Sequence, residues 1–151
     1  MSFLGGHDDR HQANRGTAAV IGVLLVLFGL AAVQVGLGHP FAGRQGGRVM
    51  GLFGANLLSS VVHLLLGVVL LAAAAAGTAR ARTANRVVGG ACLLLALYGL
   101  AAETTDGDLL AVQGGTNDLH LLRALVLVAV GVLADRTPTS GNGPRYRTVR
   151  H

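Results

Sequence analysis

The sequence predicts an all-α integral membrane protein, an antiparallel four-helix bundle that crosses the bilayer up-down-up-down. Three observations predict this fold. Four apolar stretches, each near the length of one membrane crossing, make up most of the 151 residues. Charged residues amount to only 13% of the chain, whereas a soluble domain carries about 25%. The basic residues, all of them arginine, gather mainly on one side of the predicted topology.

The four apolar stretches define the predicted helices. A hydrocarbon core about 30 Å thick takes roughly 20 apolar residues in a helix, and the first two stretches reach that length. The other two approach it once their flanking residues are counted. Barrel strands alternate polar and apolar residues over about 10 positions, so the continuous stretches exclude a barrel. The predicted helices cover residues 17–38, 50–76, 86–102 and 117–134.

The two ends of the chain differ from the stretches between them. Residues 1–16 are polar without an apolar period, and we expect a disordered cytoplasmic segment. The first apolar stretch is longer than the core of a cleaved signal peptide, which is typically about 7–15 residues, so we expect a retained helix. It ends before His39-Pro40 because proline cannot continue a helix. Residues 135–151, rich in Pro, Gly, Ser, Thr and Arg, predict a disordered basic tail.

Small residues recur at a spacing of four in the second predicted helix. Residues four apart lie on one helix face, and small side chains on a face let a neighbouring helix approach. We therefore predict that Gly51, Ala55 and Gly67 form a packing face. Beyond this helix, the short basic loop 77–85 predicts an antiparallel hairpin with the third helix, and Asn85 is expected to cap that helix.

The arginines predict the orientation in the membrane. One side of the four-span topology carries only Arg44 and Arg48, together with an acidic loop at 103–117. Because positive residues stay cytoplasmic, both termini are expected inside the cell, with the chain in the plasma membrane. The lipid bilayer is the expected partner; a homo-oligomer or a membrane-protein partner stays open, and nucleic acid is not expected. Nine arginines lie on the cytoplasmic side: Arg10, Arg15, Arg80, Arg82, Arg86, Arg136, Arg145, Arg147 and Arg150.

A polar layer is predicted in the outer half of the membrane. Counting 1.5 Å per residue from the cytoplasmic helix ends places His63, Tyr98 and His120 at one level, about 18–21 Å from that boundary. Three different helices therefore contribute to the layer. Seven more polar residues lie just above this level: Gln34, Asn56, Ser59, Ser60, Glu103, Asn117 and Asp118.

Arg123 is the least expected residue of the fourth apolar stretch. It lies about 16 Å from the cytoplasmic boundary, where an arginine costs roughly 2.5–3.5 kcal/mol on insertion scales. Two arrangements are open: Arg123 turns inward and pairs with Glu103, or it faces lipid and snorkels to the outer headgroups. We expect the inward pair, because intramembrane charges usually face protein.

Three short motifs carry a family resemblance: Gly51-Leu52-Phe53, His63-Leu64-Leu65-Leu66-Gly67 on helix two, and Leu119-His120 at the start of helix four. In order and spacing they resemble a family of small bacterial four-helix membrane proteins, common in actinobacteria and known only as a domain of unknown function. Ser59 and Ser60 replace a histidine and an asparagine of that family, and Arg123 also departs from its pattern. The resemblance implies the same topology over residues 17–134 and a role for His63 and His120, and it implies no activity.

The first functional hypothesis is a non-catalytic structural or accessory bundle. In it, the side chains of His63, His120 and the serines lock the helices by hydrogen bonds, and no cofactor is expected. An enzyme is not expected, because Ser59 beside His63 would still need a third orienting group and an oxyanion site.

Two alternatives stay open. His63 and His120 are candidate ligands for a metal ion or haem, since neutral imidazole is the commonest metal ligand. Transition-metal sites usually take three or four ligands, however, and only these two imidazoles share the level. The other alternative is a small transporter or proton-conducting protein, because intramembrane ionisable residues are functional-site candidates. Its path would use His63, Tyr98, His120, Arg123 and Glu103.

Overall fold

A computed structural model describes residues 12–113 and 115–135 of the chain. Its helices confirm the predicted fold class, an all-α four-helix bundle. A short antiparallel hairpin is added between the first two helices. The elements are α1 (Ala13–Gly36), β1 (Gly47–Val49), β2 (Phe53–Ala55), α2 (Leu57–Ala75), α3 (Thr78–Ala102) and α4 (Thr116–Leu133).

All four helices are long and apolar enough to cross a membrane. The outer surface of the bundle carries large apolar side chains on every helix; Leu65 is 61% exposed, Leu94 69% and Leu125 61%. A soluble protein rarely exposes so continuous an apolar surface, whereas lipid tails are a matching solvent for it. The fold therefore fits a multi-pass membrane protein.

Glycines on α1 bring it close to α2. Gly22, Gly29 and Gly36 recur on its buried face. A Cβ at Gly29 would lie 2.8 Å from Cγ of Leu64, and one at Gly22 would lie 3.1 Å from the backbone oxygen of Gly67. Such contacts leave no room for a side chain, so the glycines set the spacing of this helix pair.

Glycines also allow α3 and α4 to pack closely against each other. A Cβ at Gly89 would lie 2.8 Å from Cγ2 of Val128, and one at Gly131 would lie 2.9 Å from Cγ of Arg86. Between α2 and α3 the packing is looser. An apolar groove of about 550 Å³ opens there, lined by residues such as Leu58, Leu94 and Leu110.

The second helix begins at Leu57 and not at residue 50. Asn56 is its N-cap. The side chain of Asn56 accepts from Ser59 N and the side chain of Ser59 accepts from Asn56 N, and this capping box fixes the N-terminal start of the helix. Residues 47–55 instead form the β1–β2 hairpin, whose turn holds Met50 and Gly51 at φ of 53° and 71°. The apolar residues of this segment resemble a helix in composition only.

The predicted packing face changes accordingly. Gly51 lies in the exposed turn, with nothing within 4 Å of an added Cβ, so its predicted helix contact is wrong. Ala55 is fully buried, but in β2, where it joins Ala32 and Val49 in a small apolar cluster. Gly67 does pack on α1, where a Cβ would lie 2.8 Å from Cγ2 of Val26.

The first and third helices begin earlier than predicted. α3 starts at Thr78, so most of the predicted loop 77–85 is helical and Asn85 lies inside the helix instead of capping it. Alanine and arginine are strong helix formers, and Gly77 at φ 113° makes the turn after α2. α1 starts at Ala13, so residues 13–16 of the predicted disordered segment are helical. Of the two segments predicted to be disordered, residues 1–11 and 136–151 lie outside the described residues.

The two ends of the bundle are different. At the basic end, where α1 and α3 begin, Nε of Arg86 donates to the carbonyl of Gly131 at 2.7 Å and Nε of Arg15 to that of Ala74 at 3.0 Å. Arginine thus satisfies carbonyls at the C-termini of α2 and α4. At the hairpin end, the hairpin and the α3–α4 loop bind each other: Gly54 N donates to the carbonyl of Gln113 at 3.1 Å.

Candidate functional site

The buried polar layer lies directly beneath the hairpin end and begins with Asn56. The side-chain oxygen of Asn56 accepts from Ser59 N at 2.8 Å. Its amide nitrogen donates to the carbonyls of Gly43 at 2.9 Å and Leu109 at 2.8 Å. One fully buried side chain therefore joins α2 to both loops of the hairpin end.

The two serines of the layer use their hydroxyls on the same cap. Oγ of Ser59 accepts from Asn56 N at 2.9 Å and donates to the Asn56 carbonyl at 2.9 Å. Oγ of Ser60 donates to that carbonyl at 2.7 Å. Hydroxyls of Ser and Thr in membrane helices commonly bond their own backbone in this way. Both serines therefore serve the start of α2.

His63 and His120 meet in the middle of the layer. Their ring centroids lie 5.1 Å apart with planes inclined by 32°. Nδ1 of His63 lies 2.6 Å from the Ser59 carbonyl, and because a carbonyl only accepts, Nδ1 carries the proton and Nε2 offers a lone pair. Among the described residues, neither Nε2 of His63 nor Nδ1 of His120 has a hydrogen-bond partner, and both atoms are buried.

Phe28 of α1 connects this pair to Arg123. Its ring centroid lies 4.7 Å from that of His63 on one side. On another, the guanidinium carbon of Arg123 lies 5.3 Å from the ring centre, a cation–π contact. Arg123 is only 8% exposed, so it faces the bundle and does not snorkel outward. Its Nη1 is buried and unpartnered within residues 12–113 and 115–135.

The expected ion pair of Arg123 with Glu103 does not form; the arginine lies on Phe28 instead. The helix register explains why. Gly99 and the side chain of Asn117 face each other across α3 and α4. Glu103 lies four residues beyond Gly99 toward the hairpin end, and Arg123 six residues beyond Asn117 toward the basic end. At 1.5 Å per residue the two positions are about 15 Å apart along the axis.

Tyr98 shares the level of the histidines but not their contacts. Its hydroxyl donates to the Gly107 carbonyl at 2.6 Å and accepts from Leu109 N at 2.6 Å. Both partners belong to the α3–α4 loop. Tyr98 therefore fastens that loop to α3. Glu103 caps the C-terminus of α3 and is half-buried.

Residues 15–133 match the model of a protein family described as Domain of unknown function (DUF4383). The chain belongs to this family. No match is found among curated proteins or among solved structures. Membership of DUF4383 agrees with the expected uncharacterised family; the motifs and the bacterial group that the resemblance implied stay predictions.

Two features of the DUF4383 bundle escaped the sequence analysis. Phe28 is one; counted from the predicted helix start at residue 17, it lies about 16 Å from the cytoplasmic boundary, the depth at which the same count places Arg123. The other is a polar cluster at the basic end. Nδ2 of Asn85 donates to Oδ1 of Asn14 at 2.9 Å, and Asn14 donates from N and Nδ2 to one carboxylate oxygen of Asp135, each at 2.9 Å.

The chemistry open to the layer follows from its atoms. It offers the lone pair of His63 Nε2, the imidazole of His120 with its Nδ1 unpartnered among the described residues, and one guanidinium N–H group. Among the described side chains, no group of three or more His, Cys, Asp or Glu residues is arranged to hold a metal ion. The space beside the two imidazoles, lined in part by Val62, Leu95 and Leu110, is too narrow for a water-sized sphere.

Proposed function

We propose that this DUF4383 protein acts without catalysis, as a structural or accessory bundle of the plasma membrane. The observation that carries the proposal is the use of its hydroxyl groups. The hydroxyls of Ser59, Ser60 and Tyr98 all bond backbone groups at 2.6–2.9 Å. Each therefore holds a loop or a helix start in place.

The same contacts argue against a serine nucleophile. A nucleophilic serine gives its proton to a neighbouring base. The Ser59 hydroxyl donates its hydrogen bond to the carbonyl of Asn56. His63 donates to the carbonyl of Ser59 and makes no hydrogen bond with its hydroxyl.

A serine-directed fluorophosphonate tests this proposal on the purified protein in detergent. We expect no label on Ser59 or Ser60, because both hydroxyls are buried and hydrogen-bonded. Labelling that disappears in Ser59→Ala and persists in the exposed control Thr83→Ala would overturn the proposal.

The structural part of the proposal is tested by Asn56→Ala. Loss of an N-cap costs about 0.5–2 kcal/mol, and Asn56 also holds two loop carbonyls, so we expect an effect near the upper value. Thermal unfolding in detergent measures it, with the lipid-facing Leu65→Ala as control. A melting temperature equal to that of the control would contradict a structural role.

The orientation is proposed from charge. Arg15, Arg80, Arg82 and Arg86 lie at the basic end, which the positive-inside rule assigns to the cytoplasm. Single cysteines can be placed at Met50 and Ala79, exposed residues of opposite ends, in a Cys92→Ala background. We expect a membrane-impermeant maleimide to label Met50→Cys and not Ala79→Cys on intact cells; the reverse pattern would refute the orientation.

A second candidate function rests on the two unpartnered imidazole nitrogens. Their closeness supports a bare ion that accepts few ligands, and rings 5.1 Å apart leave no space for haem between them. Titration of the purified protein with Cu(I) against a chromophoric chelator tests this candidate. We expect a single ion to bind wild type, and His63→Ala and His120→Ala each to abolish it. Equal binding by the double variant would exclude this site.

A further inference from the structure

A cavity of about 330 Å³ lies between α1 and α4, next to the buried layer. Arg123 is the one residue of its lining that is not apolar. Leu24 and Leu122 form part of its rim and are 51% and 57% exposed, so the cavity opens toward the lipid. The lining residues are Ile21, Leu24, Phe28, Leu119, Leu122, Arg123 and Val126.

Arg123 needs a counter-charge that the described residues do not supply to it. It is 92% buried, and its Nη1 is buried with no hydrogen-bond partner among the residues that the structure describes. The Phe28 ring contacts the guanidinium but carries no charge. Cations inside a membrane usually pair with an anion or with carbonyl oxygens. An anion that enters from the cavity would meet this need.

We propose that this cavity binds a membrane-borne, single-chain carboxylate, a fatty acid, with its headgroup on Arg123. A carboxylate accepts two parallel N–H bonds from a guanidinium. Its alkyl chain would continue along the apolar rim, where Leu24 and Leu122 face lipid. The ligand class follows from charge and size, because the lining offers one positive group and no acidic one.

The depth of Arg123 distinguishes this ligand from a phospholipid. Arg123 lies seven residues into α4, about 10 Å below its start. A small carboxylate can sink to that depth with its chain still in the bilayer. A phosphodiester headgroup with two acyl chains would have to leave the interface and would need a wider cavity. The proposal goes beyond the structural role proposed above and does not depend on it.

Equilibrium binding of radiolabelled palmitate to the purified full-length protein in dodecyl maltoside tests the proposal. We expect saturable binding of one palmitate. Arg123→Leu should weaken it about tenfold or more, as for the loss of a charge-assisted contact, and Arg123→Lys should restore part of it. Arg48→Leu, which removes an exposed arginine of the hairpin, is the matched control and should bind as wild type.

Two further arms keep the test decisive. Leu24→Trp fills the cavity while leaving Arg123 in place, and we expect it to weaken palmitate binding; Leu65→Trp, on a lipid-facing surface, should not. As competitors, hexadecanol should displace palmitate poorly because it has no charge, and phosphatidylglycerol poorly because it has two chains. Equal binding by Arg123→Leu, or displacement by either competitor as strong as by palmitate itself, would overturn the assignment.

Discussion

Two buried polar clusters lie at different depths of this bundle and differ in their hydrogen bonds. At the basic end, Asn85 donates to both oxygens of Asn14, its carbonyl at 3.1 Å and its Oδ1 at 2.9 Å. Asn14 in turn donates twice to Asp135. Oδ1 of Asn85 is buried there without a hydrogen-bond partner among the described residues. We call these three residues the asparagine cluster.

The layer around His63, His120 and Arg123 shows the opposite pattern. Each of the three leaves one buried nitrogen without a partner among the described residues. Instead, the His63 ring contacts the rings of His120 and Phe28, and the guanidinium of Arg123 contacts the Phe28 ring. An unsatisfied buried polar atom costs about 1–3 kcal/mol, so we expect these three residues to stabilise the bundle less than the asparagine cluster does.

This difference in hydrogen bonding distinguishes polar groups that stabilise the fold from polar groups that could still bind a ligand. The asparagine cluster joins the start of α1, the first third of α3 and the residue that follows the C-cap of α4. The Asp135 carboxylate accepts one of the N–H groups that every helix start leaves free. In the layer, Asn56 makes several hydrogen bonds, whereas His63, His120 and Arg123 each keep one buried nitrogen without a partner among the described residues. Buried polar atoms without partners in a native fold call for an explanation such as a ligand.

The largest expected effect comes from breaking the asparagine cluster. Asn85→Leu removes two hydrogen bonds and leaves Oδ1 of Asn14 buried without its donor. We expect a loss of about 2 kcal/mol of unfolding free energy, measured by thermal or denaturant unfolding in detergent. Thr83→Ala, an exposed change on the same helix, is the control. A variant as stable as this control would show that the cluster is not stabilising.

We expect a smaller loss of unfolding free energy from Tyr98, whose hydrogen-bonded hydroxyl lies nearer the surface. Tyr98→Phe removes the bonds to Gly107 and Leu109 but keeps the ring. We expect a loss of about 1 kcal/mol and faster amide hydrogen exchange at Leu109. Exchange at α1 should not change, and this serves as the internal control. Unchanged exchange at Leu109 would contradict the role of Tyr98 in holding the loop.

Hydropathy was enough to predict the number, order and class of the helices, because lipid-facing residues dominate this chain. Helix starts were harder. Met50, Leu52 and Phe53 are as apolar as the residues of a membrane-spanning helix. The N-cap residue Asn56 is the signal that marks where the hairpin ends and α2 begins. Arg80 and Arg82 lowered the hydropathy of a segment that is helical all the same.

Counting depth placed His63 and His120 at one level, and the structure brings them together. The same count did not identify Phe28 as the neighbour of Arg123, because it gives height along a helix and not the direction around it. Counting depth also could not predict the asparagine cluster. Asn14 and Asn85 are 71 positions apart, and Asn14 and Asp135 are 121 apart, so only the packing of α1 against α3 and α4 reveals their contact.

The smallest expected effect comes from the layer itself. His120→Phe keeps a planar ring against His63 and removes a buried nitrogen that has no described partner. Replacing an unsatisfied polar group by an apolar one of similar shape is nearly neutral or stabilising, so we expect a change of no more than about 0.5 kcal/mol in unfolding free energy. Asn85→Leu, measured in the same detergent, calibrates the scale. A loss as large as that of Asn85→Leu would mean that Nδ1 of His120 is satisfied in the membrane, and the contrast between the two clusters would then fail.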